Sequence, residues 1–295
     1  MKTLSSPMPV IAAVAAIFAL SCLDAGIKEL GGRFPTLEIV FLRYGAGALW
    51  CLPVFAWALV RRRTNPPSRG TLVRSATRAL IILATAAMFF EALTRLPLAE
   101  AVAIVFTAPL FMALLGRLVL KEPVGKRAAT AIATGFLGLL IMASGRLGGG
   151  AFGEGAALGY LLALGGSLTY SLAMILTRRD SATDGVITLV SVQNLCAAVF
   201  AAPLAAGVFV MPAAADWGLV ALIGLLGTTG HLALAWAYAN APAARLAPIE
   251  FTGLLWAPLF GFAFFAEVPA PPTIAGALLI VVACLIVARP TRAAA

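Results

Sequence analysis

The chain has 295 residues, 62% of them hydrophobic and 11% charged, and its 21 Lys and Arg against 12 Asp and Glu give a net charge of +9. A soluble domain of this size cannot hide so much hydrocarbon from water, and a disordered chain carries far less of it. Composition leaves an all-α integral membrane protein, and the basic residues, set in short clusters between apolar runs, mark its loops and not a surface for nucleic acid.

A membrane helix takes ~20 mostly apolar residues, and walking the chain gives ten such runs. The first, 9–29, follows Lys2 in the manner of a signal peptide, but its apolar stretch continues past Ala25 with no polar cleavage zone, so it is predicted to stay as a span. Gly31-Gly32 and Pro35 lead to the second, 36–60, and Asn65-Pro66-Pro67 to the third, 74–94. Pro97 opens the fourth, 97–119, and Glu122-Pro123 precedes the fifth, 124–145. A glycine-rich link separates it from the sixth, 155–177. Asp184-Gly185, Pro212, Pro242 and Pro269–Pro272 then punctuate the last four, 185–210, 215–239, 242–266 and 271–289. No room is left for a soluble domain.

Loop charge sets the expected orientation. Lys2, Arg61, Arg62, Arg63, Arg69, Arg74, Arg78, Arg117, Lys121, Lys126, Arg127, Arg178, Arg179, Arg245, Arg289 and Arg292 all fall on the side of the N-terminus. That places both termini in the cytoplasm of a cell inner membrane and requires an even number of spans. Cys22, Cys51, Cys196 and Cys284 lie inside apolar runs without metal-ligand spacing, so no cofactor is expected. Neither a GxxxxGK[ST] loop nor a GxSxG elbow occurs, which argues against an ATP-driven pump and against an enzyme.

The chain also repeats itself. Shifted by 145 residues, Pro97 meets Pro242, Ile104 meets Ile249, Phe106-Thr107 meets Phe251-Thr252, Gly116 meets Gly261 and Glu122 meets Glu267. The expected halves are residues 1–148 and 149–295. Five spans apiece is an odd number, so the second half enters the bilayer inverted, the arrangement that underlies alternating access around a mid-membrane site. Rocking of one half against the other is the expected motion.

Ionisable groups inside a span cost at least ~2.5–3.5 kcal/mol, so each is a candidate site residue. Asp24 with Lys28, and Glu91 with Arg95, have the i,i+4 spacing of a local ion pair, and each acid is alternatively a pocket residue. Arg43 is expected to neutralise Asp24 or Glu38. Glu250 is read either as a substrate-amine or proton site or as a partner of Arg245. His231, the one histidine, either packs or titrates against the cavity and couples transport to protons. Phe89, Phe106, Tyr170, Trp236, Tyr238 and Trp256 are read as helix packing or as the lining for a flat cargo, and Thr107 beside Phe106 completes the candidate set. Pro109 and Pro258 leave the carbonyls of Val105 and Leu254 without helical donors. Glu122 and Glu267 are expected to favour the starts of spans five and ten.

The stretch from Glu91 through Leu96-Pro97 and Phe106-Thr107-Ala108-Pro109 to Phe111, continued by Leu120-Lys121-Glu122-Pro123 and Gly135-Phe136-Leu137-Gly138, resembles the fourth-span region of the EamA family of drug/metabolite transporters. Tyr238 to Leu246 and Ala266-Glu267 are its weaker second copy. The resemblance spans essentially the whole chain. It implies two inverted five-helix repeats around a central cavity lined by spans 1, 3, 4, 6, 8 and 9, and it implies small organic cargo. In layout the chain is most similar to exporters of aromatic amino acids. Export of small amphipathic metabolites, amino acids foremost, is the leading expectation, and uptake of a heteroaromatic compound such as a vitamin or S-adenosylmethionine is the second. The expected partners are a small-molecule substrate and the lipid bilayer, with a monomer or a dimer both open.

Overall fold

The computed structural model describes residues 7–61, 64, 66–108, 110–112, 114–115, 126–147, 155–180, 185–240, 246, 249–250 and 252–288, without the side chains of 126–128, 143, 145–147, 177–180, 186, 238–239, 284 and 287–288. Among the described residues ten main helices follow one another: α1 (Met8–Gly31), α2 (Thr36–Val60), α3 (Arg69–Arg95), α4 (Leu98–Val105), α5 (Lys126–Leu147), α6 (Ala156–Asp180), α7 (Val186–Ala206), α8 (Asp216–Asn240), α9 (Gly253–Phe265) and α10 (Pro271–Ala288). Lipid offers no partner to a backbone N–H or C=O, so apolar runs of this length close their hydrogen bonds internally as helices. Extended prolines, Pro35 and Pro97, stand just ahead of α2 and α4, and the Ser68 hydroxyl caps α3 by accepting the Thr71 N–H at 3.1 Å. Helices α1, α2, α3, α6, α7 and α8 contain stretches long and apolar enough to cross a membrane. Outward-facing Leu49, Val60, Leu161 and Phe264 are each more than 60% exposed, a belt suited to hydrocarbon and not to water.

The sequence places the fourth and ninth spans at 97–119 and 242–266, with Pro109 and Pro258 as the points where each would bend or open. Each is interrupted at the threonine that the repeat matches. The Thr107 N–H donates to the Ile104 carbonyl and the Thr252 N–H to the Ile249 carbonyl, both at 2.9 Å. Each hydroxyl donates to the same carbonyl at 2.7 Å. The helix resumes with Leu110 and Leu255 donating to the threonine carbonyls at 2.9 Å. This three-residue turn tightens the chain for a single step, in the manner of a 3-10 segment. Proline is not the cause in span nine, because α9 runs through Pro258 and the interruption falls ahead of it. Pro109 lies outside the described residues.

Packing follows the same two-fold relation. Helix α1 lies on α8, and its repeat mate α6 lies on α3; α2 meets α8 as α7 meets α3; α1 meets α9 as α6 meets α4. Helices α2 and α7, α4 and α9, and α5 and α10 meet their own mates. The most extensive of these contacts join one half of the chain to the other. Helices α5 and α10 approach at their backbones. A methyl group added at Gly138 would come within 2.7 Å of the Gly276 carbonyl oxygen, and one added at Gly276 would overlap the Gly138 carbonyl.

Candidate functional site

One pole of the bundle carries the ends of α1, α3 and α9 and the starts of α2, α4, α8 and α10, and polar side chains tie it together. The Lys28 ammonium donates to the carbonyls of Leu93 at 2.9 Å and Leu96 at 2.6 Å and pairs with Glu267 at 3.0 Å. The expected Asp24–Lys28 pair is therefore overturned: Lys28 spends its charge on frayed α3 carbonyls and on an acid far along the chain. Glu267 in turn accepts the Leu98 N–H at 2.8 Å. It thus caps α4, where a carboxylate is favoured by the helix dipole, and not α10 as predicted. Its placement comes from the end of α9, where Ala266 adopts a left-handed conformation with φ of 53° and the Glu267 N–H closes back on Gly261 at 3.0 Å. Glu122 lies outside the described residues.

Further ties surround this one. Arg33 pairs with Asp216 at the start of α8. Glu91 bonds Thr36 and pairs with Arg95, realising the i,i+4 spacing. Glu38, fully buried, accepts the Val210 N–H at 2.8 Å. Glu100, which the sequence reading did not single out, is buried and accepts the Tyr160 hydroxyl at 2.9 Å and the Thr273 hydroxyl at 3.1 Å, joining α4, α6 and α10. Its signal was available: an acid one turn into a span. A cavity of about 270 Å³ opens at this pole, lined among others by Glu100, Met142, Pro258, Glu267 and Thr273.

Deeper in the bundle lie the residues expected to meet cargo. Seven residues separate Asp24 from the end of α1 and Arg43 from the start of α2, so both sit about 10 Å below the tied pole at 1.5 Å per residue. They are not in contact, although the Arg43 charge acts on Asp24 and on His231. The expected pairing of Arg43 with Asp24 or Glu38 is corrected: its guanidinium donates to the Asn194 side-chain oxygen at 2.8 Å instead. Asn194 is held by donating to the Val190 carbonyl at 2.9 Å and to Cys51 Sγ at 3.6 Å. His231, on α8, is exposed and shares its Nδ1 with the Gly227 carbonyl at 2.6 Å. Tyr170 on α6 and Glu250 ahead of α9 lie close enough to act on one another.

Phe89 is half-buried against α6 at Gly166, and Phe106 against α9 at Gly253. Trp256 stacks on Phe260 and meets Phe18 edge-on. Trp236 is 44% exposed. The side chain of Tyr238, and the whole of Arg245, lie outside the described residues. Thr107 is buried with its hydroxyl shared between the Ile104 carbonyl and Ser167 at 2.9 Å. The Val105 carbonyl, expected to lack a helical donor, has the Ser167 hydroxyl 3.2 Å away, whose one proton goes either to it or to Thr107. That facing serine was not legible in the sequence.

Comparison with known proteins gives a consistent result. The model of the EamA-like transporter family matches twice, over residues 7–144 and 157–289. A pseudopaline exporter of Pseudomonas aeruginosa is 29% identical over 288 residues, 96% of either chain. An uncharacterized transporter of Helicobacter pylori is 52% identical over 42 residues, 14% of either chain. A solved crystal structure superposes with a TM-score of 0.66 over 96% of both chains at 18% identity, a likeness of fold alone.

Proposed function

The chain belongs to the EamA-like transporter family, and from that premise we propose that it exports small amphipathic metabolites, with aromatic and other apolar amino acids as its leading cargo. The observation that carries this reading is the contrast along the bundle axis. One pole is closed by side chains from both halves, above all Lys28 and Glu267, while Asp24, Tyr170, His231 and Glu250 lie away from it along their helices and keep accessible surface. Mid-membrane polar groups beneath a closed gate are what alternating access needs. Loop charge assigns the closed pole to the outside and both termini to the cytoplasm of an inner membrane, so the protein as drawn receives cargo from within. Export is also what the Pseudomonas relative is named for. The halves divide at the 148–149 boundary, one chain holds the complete pathway, and Phe89, Phe106 and Trp256 supply apolar surface to cargo of this kind.

Counterflow in proteoliposomes tests it. Vesicles loaded with unlabelled tryptophan should accumulate labelled phenylalanine or tryptophan, saturably and in competition with other apolar amino acids. Exchange of a vitamin or nucleoside-like compound with no exchange of phenylalanine, tryptophan, leucine or methionine would overturn the cargo.

A further inference from the structure

Arg43 is a cation held inside a membrane-spanning helix at 4% exposure. Among the described residues no carboxylate lies within ion-pair distance of it, and its protein hydrogen bond is the one from Nη1 to Asn194. The Tyr44 ring covers one face of the guanidinium, 4.1 Å from Cζ. Helix α8 is shaped to admit the group: a methyl added at Gly227 would stand 2.6 Å from Nη2. A guanidinium has five N–H donors, so this setting orients Arg43 and leaves most of its donors without an acceptor among the described residues. Nor are they sealed, for none of them is among the fully buried side-chain atoms of the described residues that lack a partner.

Asp24 has the complementary property. It is half-buried at the same depth as Arg43 and has no hydrogen-bond or ion-pair partner among the described residues. A carboxyl group and a guanidinium at one depth and yet not joined are costly to keep in a bilayer. Had the pair evolved for stability, direct contact would recover more of the desolvation cost. We propose that Arg43, pinned by Asn194 and Tyr44, binds the carboxylate of the cargo and that Asp24 takes its ammonium group, so that the carrier selects the zwitterionic head of an α-amino acid. The planar fork of arginine matches a carboxylate with two parallel hydrogen bonds. This rests on the carrier reading above and adds the head-group chemistry to it.

The test compares matched ligands on purified protein, by ligand-induced thermal stabilisation and by competition in counterflow: L-phenylalanine, its amide, and 3-phenylpropionate, which lacks the amine. Wild type should prefer phenylalanine over the amide by about 10–100-fold, the range of a charge-assisted pair. R43Q should abolish that preference while leaving affinity for the amide in place, and D24N should instead abolish the preference for phenylalanine over phenylpropionate. R43K, which keeps the charge without the fork, should lower the acid-to-amide ratio by about three-fold or more, and it carries the test if R43Q does not fold. A folded R43Q or R43K with the wild-type ratio overturns the assignment. If wild type ignores amino acids but prefers some other carboxylate to its amide, and R43Q removes that preference, the Arg43 site stands and the cargo reading falls. If no carboxylate outbinds its amide, the Arg43 site falls whatever the cargo.

Discussion

Thr107 shows how a residue type can be legible and its role not. The repeat pointed to it, because Phe106-Thr107 recurs as Phe251-Thr252, and a hydroxyl in an apolar span invites a cargo reading. The folded chain uses that hydroxyl twice, on its own Ile104 carbonyl and on Ser167. A T107V protein should therefore lose about 1–2 kcal/mol of stability, seen as a lower thermal midpoint in detergent, with unchanged apparent affinity for cargo. A changed affinity at full stability would return Thr107 to the binding surface. Lys28 teaches a related lesson. Its i+4 spacing to Asp24 was visible, but its partners Leu93, Leu96 and Glu267 are brought near only by tertiary packing. Side-chain spacing on one helix carries no information about which helix faces it.

At the scale of the element, the number and order of the helices were readable, since each needs only a run of apolar residues between turn-forming ones. Where two helices interrupt was half readable. The prolines drew attention, yet the mirrored breaks fall at Thr107 and Thr252, through bonds to the preceding Ile carbonyls that composition does not advertise. The α5–α10 crossing was hinted at by Gly135 and Gly138, but small residues are common in membrane helices and do not name their partner. The structure names it as Gly276. Gly138→Leu should separate the two helices, costing at least about 2 kcal/mol by overpacking, and fluorescence-detected size exclusion should show aggregation or loss of the folded peak. The same substitution at Gly207, where an added methyl meets nothing within 4 Å, should be tolerated.

For the whole molecule, the closed pole is the feature that alternating access must undo. Lys28 and Glu267 are mostly buried, with side chains 12% and 22% exposed. The residual exposure keeps the loss on breaking the pair below the ~3–5 kcal/mol of a fully buried one. E267Q and K28M should each favour opening at this pole by about 1–2 kcal/mol, roughly 5–30-fold in population. In a background without native cysteines, a cysteine at Met142, buried in the cavity wall, should then react faster with a membrane-impermeant maleimide by a similar factor. An unchanged rate in both variants would mean the tie is decorative. The overall plan of this pole, two inverted halves meeting across the bilayer, was legible from the 145-residue self-similarity and the loop charges. Of the polar bridges only Glu91–Arg95 was legible, from its i,i+4 spacing; Lys28–Glu267 and Arg33–Asp216 join residues separated by more than half the protein.

Helix α1 finds its main neighbour in α8, α3 in α6 and α5 in α10, so the surfaces that either half would bury by itself are the lesser ones. Were the gene divided in the link before Gly155, the two products would not be two small proteins. Each would wait in the membrane with its widest faces open to lipid, dependent on the other as an obligate heterodimer depends on its second subunit.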